Sequence, residues 1–216
     1  MFPYASRLTP PRIQHRISHS LASTLAALTL TALASGLPVA SAQAASTATC
    51  PTYALSQPFL KWGDSNLYTL VTGGSFEGSA PGWTLSGGAQ RAAGSEPYAA
   101  TGALGASSLA LPVGASAQSP FICVGSEERT FRFFARSEGA EATVRASVVF
   151  ETPLGNVPVP VGKVVLKSSW EPGPILHTGA VLATAIANGT VHVALRFTSL
   201  SGNARIDDVF LDPRHR

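Results

Sequence analysis

The sequence is poor in charged residues, and this shortage excludes two classes of protein. Charged residues make up 12% of the 216 residues, whereas soluble domains usually contain about 25%. A charge-rich disordered chain and a heptad-repeat coiled coil are therefore both excluded. Hydrophobic residues account for 45% of the chain, which also has 20 glycines and 16 prolines. This composition is typical of a folded chain with many turns.

Catalytic and nucleotide-binding motifs are also missing. The sequence contains no H-E-x-x-H zinc motif and no G-x-G-x-x-G loop. The stretch G-S-F-E-G at 74–78 has the wrong spacing for a G-x-S-x-G nucleophile elbow. Acidic residues on predicted loops, such as Glu96 and Glu138, do not form the alternating carboxylate strand that is frequent in sandwich glycosidases. We therefore expect a protein that is not an enzyme.

The N-terminal segment has the features of a secretory signal peptide. Residues 1–20 contain three arginines and no acidic residue, and an uncharged run follows at 21–33. Two A-x-A cleavage sites follow, at 40–42 and 42–44. This pattern predicts a cleavable signal peptide over 1–42 and a secreted, extracellular protein with no membrane span after cleavage. An uncleaved anchor is the alternative.

Cleavage changes the charge balance of the chain. The full sequence has 15 basic and 12 acidic residues and a formal charge of +3. The signal peptide removes three arginines and no acidic residue, so the mature chain is formally neutral. Nucleic-acid binding needs a clustered basic surface, which this balance does not support. We expect a monomer with no nucleic-acid partner.

The two cysteines of the chain, Cys50 and Cys123, predict a disulfide. An even number of cysteines in an exported protein usually forms disulfides, and two cysteines allow one pairing. Two free thiols are the alternative. The bridge would tether an irregular leader at 43–66 to a domain at 67–216, and residues 45–57 would be held only by Cys50.

Alternation of apolar and polar residues predicts β-strands through most of the mature chain. The clearest strands are at 130–136, 142–151 and 191–198, and Phe134 is an apolar residue on the arginine face of the first. Further strands are predicted at 67–71, 83–86, 108–111, 121–124, 157–166 and 204–211. Residues 179–187 fit either a short helix or a strand. About nine short strands separated by turns predict an all-β fold, an antiparallel β-sandwich.

Several short stretches resemble a known family. G-S-F-E at 74–77 with G-W at 82–83, and I-D-D-V at 206–209, resemble the first and last strands of carbohydrate-binding-module jelly rolls with a galactose-binding-like fold. S-S-L-A-L at 107–111, F-R-F-F-A-R at 131–136 and S-S-W at 168–170 resemble strands between them. W-G-D-S-N-L-Y at 62–68 is similar to a segment of uncharacterised bacterial secreted proteins. The resemblance implies a sandwich of jelly-roll type.

The resemblance also implies a structural Ca²⁺. In that family the glutamate of the first motif and an aspartate of the last often hold the ion, which here implies Glu77 with Asp207 or Asp208. Backbone carbonyls would complete the six to eight oxygens that calcium prefers. Alternation places Ile206 and Phe210 on one face, so Asp208 would point inward, where a bare charge is costly. A carboxylate capped by backbone N–H groups or by arginine is the alternative.

A glycan is the partner that the resemblance implies. Sugars stack on exposed aromatic rings, and Trp62 and Tyr98 lie in predicted loops, so they are the candidate ligand-binding residues. Trp83 and Trp170 are expected to pack inside, and Phe76 and Trp83 to anchor the core. We predict a secreted, non-catalytic domain that binds carbohydrate or cell-envelope glycan. A structural or protein-interaction module without a sugar site is the alternative.

Overall fold

The computed structural model describes residues 50–179 and 189–212. The predicted signal peptide, the first residues of the leader and nearly all of the ambiguous segment 179–187 lie outside the described residues. Within the two described ranges, no helix is long and apolar enough to span a membrane.

The described residues form β-strands and one turn of 3-10 helix, at Leu60–Trp62. The eleven strands are β1 Thr69–Leu70, β2 Thr84–Ser86, β3 Gln90–Ala93, β4 Ser107–Leu111, β5 Ser116–Gln118, β6 Ile122–Val124, β7 Thr130–Thr152, β8 Gly155–Leu166, β9 Glu171–Pro172, β10 Leu176–His177 and β11 Val191–Asp212. Every pairing between these strands is antiparallel. The described part of the chain is therefore all-β, as the sequence predicts.

The two longest strands, β7 and β11, pair with each other along most of their length. Register shifts between Ser199 and Asn203 divide this pair into two halves, because a bulge bends a strand and increases its twist. Gly139 and Gly202 lie at the bend with φ of +91° and +63°, a left-handed conformation that glycine adopts readily. The sequence predicts four separate strands here, and the structure joins them into two.

Each half of the β7–β11 pair forms the centre of one layer of a sandwich. The first layer contains residues 130–138 and 203–212, with β4 and β3 on one side and β9 and β10 on the other. The second layer contains residues 142–152 and 191–199, with β5 and β2 on one side and β8 on the other. Phe133 of the first layer and Phe197 of the second have ring centroids 4.8 Å apart. The chain is therefore an antiparallel β-sandwich of jelly-roll type.

The main core lies between the two layers. It is built from the inward-facing positions of the alternating strands, among them Phe131, Phe133, Val144, Val148, Leu195, Phe197 and Ile206. Phe76 is fully buried in this core, and the Trp83 ring packs on it at a centroid distance of 4.7 Å. Burial of a side chain of this size stabilises the fold by about 1.5–3 kcal/mol. The two motif aromatic residues therefore anchor the core, as predicted.

A second apolar cluster lies on the outer face of the first layer. Phe134 and Phe210 project outward from β7 and β11, and Phe59 and Tyr68 cover them. None of the four side chains is more than 1% exposed. Residues 50–68, the leader strap, therefore pack against the sheet. The expectation that Cys50 alone holds the leader is therefore wrong, although residues 50–59 are irregular apart from one isolated bridge between Ser56 and Tyr68.

Cys50 and Cys123 form the predicted disulfide, with their Cα atoms 5.4 Å apart and a sequence separation of 73. The Tyr53 hydroxyl donates a hydrogen bond of 3.1 Å to the backbone carbonyl of Cys123. The start of the leader strap is therefore fixed both covalently and by hydrogen bonding.

Candidate functional site

An aromatic cleft lies on the outer face of the first layer, beside the leader strap. It has a volume of about 470 Å³ and is lined by Trp62, Tyr98, Ser169, Trp170, Glu171 and Pro172. The three aromatic side chains are all half-buried, so each of them keeps part of its surface in contact with solvent. The structure thus brings together the two candidate residues Trp62 and Tyr98. It also adds Trp170, which lines the cleft instead of packing inside.

The three rings of the aromatic cleft come from three separate segments. Trp62 ends the 3-10 helix, which stops at Gly63 with φ of +80°. Tyr98 follows β3, and Trp170 directly precedes β9. The cleft therefore exists only when the leader strap and both strand connections are folded onto the sheet.

The buried Phe134 ring forms a shared support for the cleft. Its centroid lies 5.3 Å from that of Trp62 and 5.7 Å from that of Tyr98. Trp62 and Tyr98 meet edge to face at 4.8 Å, a favoured geometry for aromatic pairs. The Tyr98 hydroxyl donates a hydrogen bond of 2.6 Å to the backbone carbonyl of Trp170. The rings are thus held in position before any ligand arrives.

Charged groups surround the aromatic rings. The Lys61 ammonium lies 4.9 Å from the Tyr98 centroid and 5.6 Å from the Trp62 centroid. The Arg136 guanidinium lies 5.6 Å from the Trp170 centroid. These distances are typical of cation–π contacts. Glu171 is the one carboxylate among the described residues that line the cleft.

The leader strap is held beside the cleft by a buried ion pair. Arg132 donates a 2.7 Å hydrogen bond to Asp64, and the two side chains are 10% and 11% exposed. The Arg132 guanidinium also lies 4.2 Å from the Phe59 centroid, and Tyr68 donates a 2.7 Å hydrogen bond to Asp64. Burial alone raises the pKa of Asp64, but the hydrogen bonds from Tyr68, Asn66 and Arg132 outweigh it and hold this pKa below its ordinary value.

A separate cluster of carboxyl groups lies where β11 changes its neighbour from β4 to β1. The register shift between Asp207 and Phe210 inserts one extra residue into β11, and Asp208 adopts a φ of +45° there. The inserted residue reverses the alternation, so Ile206 faces the main core whereas Phe210 faces outward. The prediction that these two residues share a face is therefore wrong. Asp208 is nevertheless buried, with 3% of its surface exposed.

Three carboxylates of this cluster accept hydrogen bonds from neighbouring groups. Glu77 accepts from the backbone N–H groups of Ala106 and Ser107 at 2.7 and 2.8 Å. Asp207 accepts from the Ser95 hydroxyl at 2.6 Å and from the backbone N–H of Glu96 at 2.9 Å. Glu96 itself accepts from the backbone N–H groups of Tyr98 and Ala100. Backbone capping, the alternative raised from the sequence, therefore describes these three side chains.

Asp208 is in a different situation, because the charged groups that act on its carboxyl group are other acids. Burial first, and then the charges of Asp207 and Glu96, raise the pKa of Asp208 to about 8. Burial also raises the pKa of Asp207 to about 6, although its hydrogen bonds act in the opposite sense. In the described part of the chain, no three His, Cys, Asp or Glu side chains are arranged to hold a metal ion together. Carboxylate oxygens are nonetheless the donors that a hard cation such as Ca²⁺ prefers.

Comparisons with known proteins give matches among solved structures alone. No protein family model matches the sequence, and no curated protein matches it significantly. The Clostridium thermocellum xylanase 10B modules CBM22-1–GH10, complexed with xylohexaose, share 16% identity at a TM-score of 0.47. This match covers 62% of the present chain but 26% of the xylanase chain.

Two isolated binding modules are similar at a comparable level. The CBM22-1 xylan-binding domain of Paenibacillus barcinonensis Xyn10C has 14% identity and a TM-score of 0.46, covering 63% of this chain and 88% of that domain. The family 11 module of Clostridium thermocellum, in complex with a mixed-linked tetrasaccharide, has 13% identity and a TM-score of 0.41, covering 63% of this chain and 91% of the module. At these values, the likeness carries no functional conclusion by itself.

Proposed function

We propose that this chain is an exported, non-catalytic carbohydrate-binding domain whose sugar site is the aromatic cleft. The observation that carries the proposal is the presence of three half-exposed aromatic rings, Trp62, Tyr98 and Trp170, around one open cleft. Ligand sites of proteins are typically lined by aromatic side chains with a few polar groups that fix orientation. The cleft has both.

The chemistry of the cleft fits a sugar better than a fully apolar ligand. The apolar face of a pyranose ring can stack on an aromatic ring, while its hydroxyl groups need hydrogen-bonding partners at the edge. Ser169 and Glu171 line the cleft together with Trp170, and the Lys61 ammonium lies 4.9 Å from the Tyr98 centroid. Because the rings are already braced by Phe134, little side-chain freedom would be lost on binding.

A binding role is favoured over hydrolysis because of the carboxylates. Glycoside hydrolysis normally uses two carboxyl groups on either side of the scissile bond. Among the described cleft residues, Glu171 alone carries one. The clustered acids Asp207, Asp208 and Glu96 are at most 3% exposed, so a polysaccharide has no access to them.

Replacing Trp62 with alanine is expected to weaken retention on an insoluble polysaccharide about 30-fold. Removing a central aromatic contact typically costs about 2 kcal/mol, which corresponds to that factor. The measurement is a depletion isotherm on a panel of insoluble plant and bacterial cell-wall polysaccharides, with the parent protein and the variant side by side.

Phe121→Ala is the matched control for this experiment. Phe121 is a half-buried aromatic residue in a different surface cavity of about 260 Å³, next to Cys123. Its loss should leave retention unchanged, and circular dichroism should show that both variants fold. If the parent protein is retained by no polysaccharide, or if both variants lose retention equally, the aromatic cleft is not a sugar site. The chain is then better described as a structural or protein-interaction module.

We also propose that the carboxyl cluster binds a structural Ca²⁺, with Glu77, Asp207 and Asp208 as its side-chain ligands. The support is that burial, and then the charges of Asp207 and Glu96, raise the pKa of Asp208, and a divalent cation would offset both costs. No three of the described acidic side chains converge on one point, so these three would have to move together around the ion, and backbone carbonyls would supply the remaining oxygens. The ion would brace the bulge of β11 against the first motif.

The metal-free protein is expected to lose stability as the pH rises from about 4 to about 8. Asp208 and Asp207 have folded-state pKa values of about 8 and about 6, above the ordinary value near 4. They hold their protons more tightly in the folded state, so their contribution is complete below pH 4 and is lost as the pH rises through those values. The measurement is the melting temperature in EDTA across this range.

Calcium should remove most of this pH dependence. At pH 8 and a free concentration about 100-fold above its Kd, it should raise the melting temperature by about 5–10 °C. In Asp208→Asn we expect a higher melting temperature than the parent in EDTA at pH 8, and little response to calcium. A parent protein whose melting temperature is the same in calcium and in EDTA would contradict the metal site.

A further inference from the structure

We infer that the aromatic cleft selects acidic sugars, and that a uronic-acid carboxylate is bound there by Lys61 and Arg136. This inference rests on the proposed function of the cleft as a sugar site and adds the chemical class of the sugar. It is carried by the charges around the three rings.

Lys61 is the first of the two cations. Its ammonium lies within 5.6 Å of the centroids of both Trp62 and Tyr98, so its charge is held at the rings on which a sugar would stack. Lys61 forms no ion pair with a carboxylate of the described residues. An exposed ammonium with aromatic contacts but no counter-ion is free to bind an anionic ligand.

Arg136 is the second cation, and its guanidinium lies 5.6 Å from the Trp170 centroid. Its Nε is buried without a hydrogen-bond partner. Its Nη2 lies 3.5 Å from Glu138 Oε1, which Arg205 already binds at 2.9 Å. The side chain of Arg136 is 31% exposed, so part of the guanidinium can be reached from outside. The buried Nε cannot meet a ligand, so an anion would bind the exposed part of the guanidinium, which its protein neighbours hold by a 3.5 Å ion pair.

The one acid of the cleft does not cancel these two charges. Glu171 lies 3.9 Å from the Lys167 ammonium and accepts a 3.3 Å hydrogen bond from Ser169. Its charge is therefore shared with a lysine of its own segment, and Lys61 and Arg136 leave a net positive charge at the rings. A neutral sugar would leave this charge unmatched, whereas a uronate would complement it.

Polygalacturonate and its carboxyl-reduced derivative test this inference, because the two polymers differ only in the carboxylate. We expect the purified protein to bind the acidic polymer roughly three- to tenfold more tightly at low salt, the range of a partly exposed ion pair. In about 0.5 M salt the Debye length falls to roughly 4 Å, so the difference should shrink. Affinity electrophoresis in gels with each polymer measures both constants.

Single substitutions test whether the preference for the acidic polymer arises at the cleft. Lys61→Gln and Arg136→Gln should each reduce the preference for the acidic polymer, and Glu171→Gln should increase it. Lys163→Gln, which removes an exposed lysine of β8 in the other layer, should leave the preference unchanged. Near-ultraviolet circular dichroism checks the fold of each variant.

The outcomes separate this inference from the function on which it rests. Equal binding of the two polymers overturns the acidic-sugar inference but leaves the cleft as a sugar site. A preference for the acidic polymer that is unchanged in both Lys61→Gln and Arg136→Gln also overturns the acidic-sugar inference, because other residues must then bind the carboxylate. If neither polymer nor any other polysaccharide is bound, the inference falls together with the proposed function.

Discussion

Replacing both Cys50 and Cys123 with serine is expected to lower the free energy of unfolding by about 4 kcal/mol. The disulfide closes a loop with a sequence separation of 73, and a loop of this length is expected to lose about this much conformational entropy in the unfolded state. The bridge also fixes the start of the leader strap, which supplies Trp62 to the aromatic cleft. Its loss should therefore weaken both the fold and the binding site.

Equilibrium unfolding in urea measures this effect. The double variant should unfold at a lower urea concentration than the oxidised parent, and a reducing agent should bring the parent to the same midpoint while leaving the variant unaffected. A midpoint that is equal for the parent and the variant would show that the strap is held by its side-chain contacts alone.

Arg132→Met is expected to destabilise the fold by about 3–5 kcal/mol. The substitution keeps an apolar chain over the Phe59 ring but removes the charge that compensates Asp64. An ion left alone in a buried position typically costs this amount. Arg132 also donates a 3.0 Å hydrogen bond to the backbone carbonyl of Gly173, which would lose its donor as well.

Lys167→Met is the matched control, because it removes the cation of an ion pair that is exposed to solvent. Lys167 and Glu171 are 74% and 52% exposed and 3.9 Å apart, so the control should cost less than about 1 kcal/mol. The loss in Arg132→Met should narrow as the pH falls below about 4, the ordinary pKa of an aspartate, because the stability that the parent gains from the depressed pKa of Asp64 is lost in acid. Adding Asp64→Asn should restore part of the stability. Equal losses in the two methionine variants would contradict the role of the buried pair.

The strands could be predicted from the sequence because their signal is local. The alternation at 142–151 and at 191–198 lies within β7 and β11 and identifies the inward face correctly. The sequence does not show that each of these strands continues through Gly139 or Gly202, because a glycine between two strand patterns usually indicates a turn. In the structure they allow a bend within two strands that remain paired on either side of it.

The bulge in β11 shows the limit of the alternation rule. One extra residue at Asp207–Phe210 reverses the faces of every position that follows. Nothing in the local sequence indicates this insertion. The apolar residues of I-D-D-V-F-L at 206–211 are compatible with a strand that contains the extra residue and with one that does not. The faces of Ile206 and Phe210 are determined by pairing with β7, which is distant in sequence.

The aromatic cleft was only partly predictable for a similar reason. Trp62 and Tyr98 are identified by their positions in loops, but Trp170 lines the cleft because the leader strap packs beside it. The local signal for that packing is Phe134, an apolar residue on an arginine face, and it is fully buried in the structure. It indicates that the outer face is covered without indicating which segment covers it.

The two long strands that run through both layers have a mechanical consequence for the molecule. The central strands of both sheets are parts of β7 and β11. One sheet therefore cannot unfold while the other keeps its full set of hydrogen bonds. We therefore expect the two sheets to unfold in a single cooperative transition.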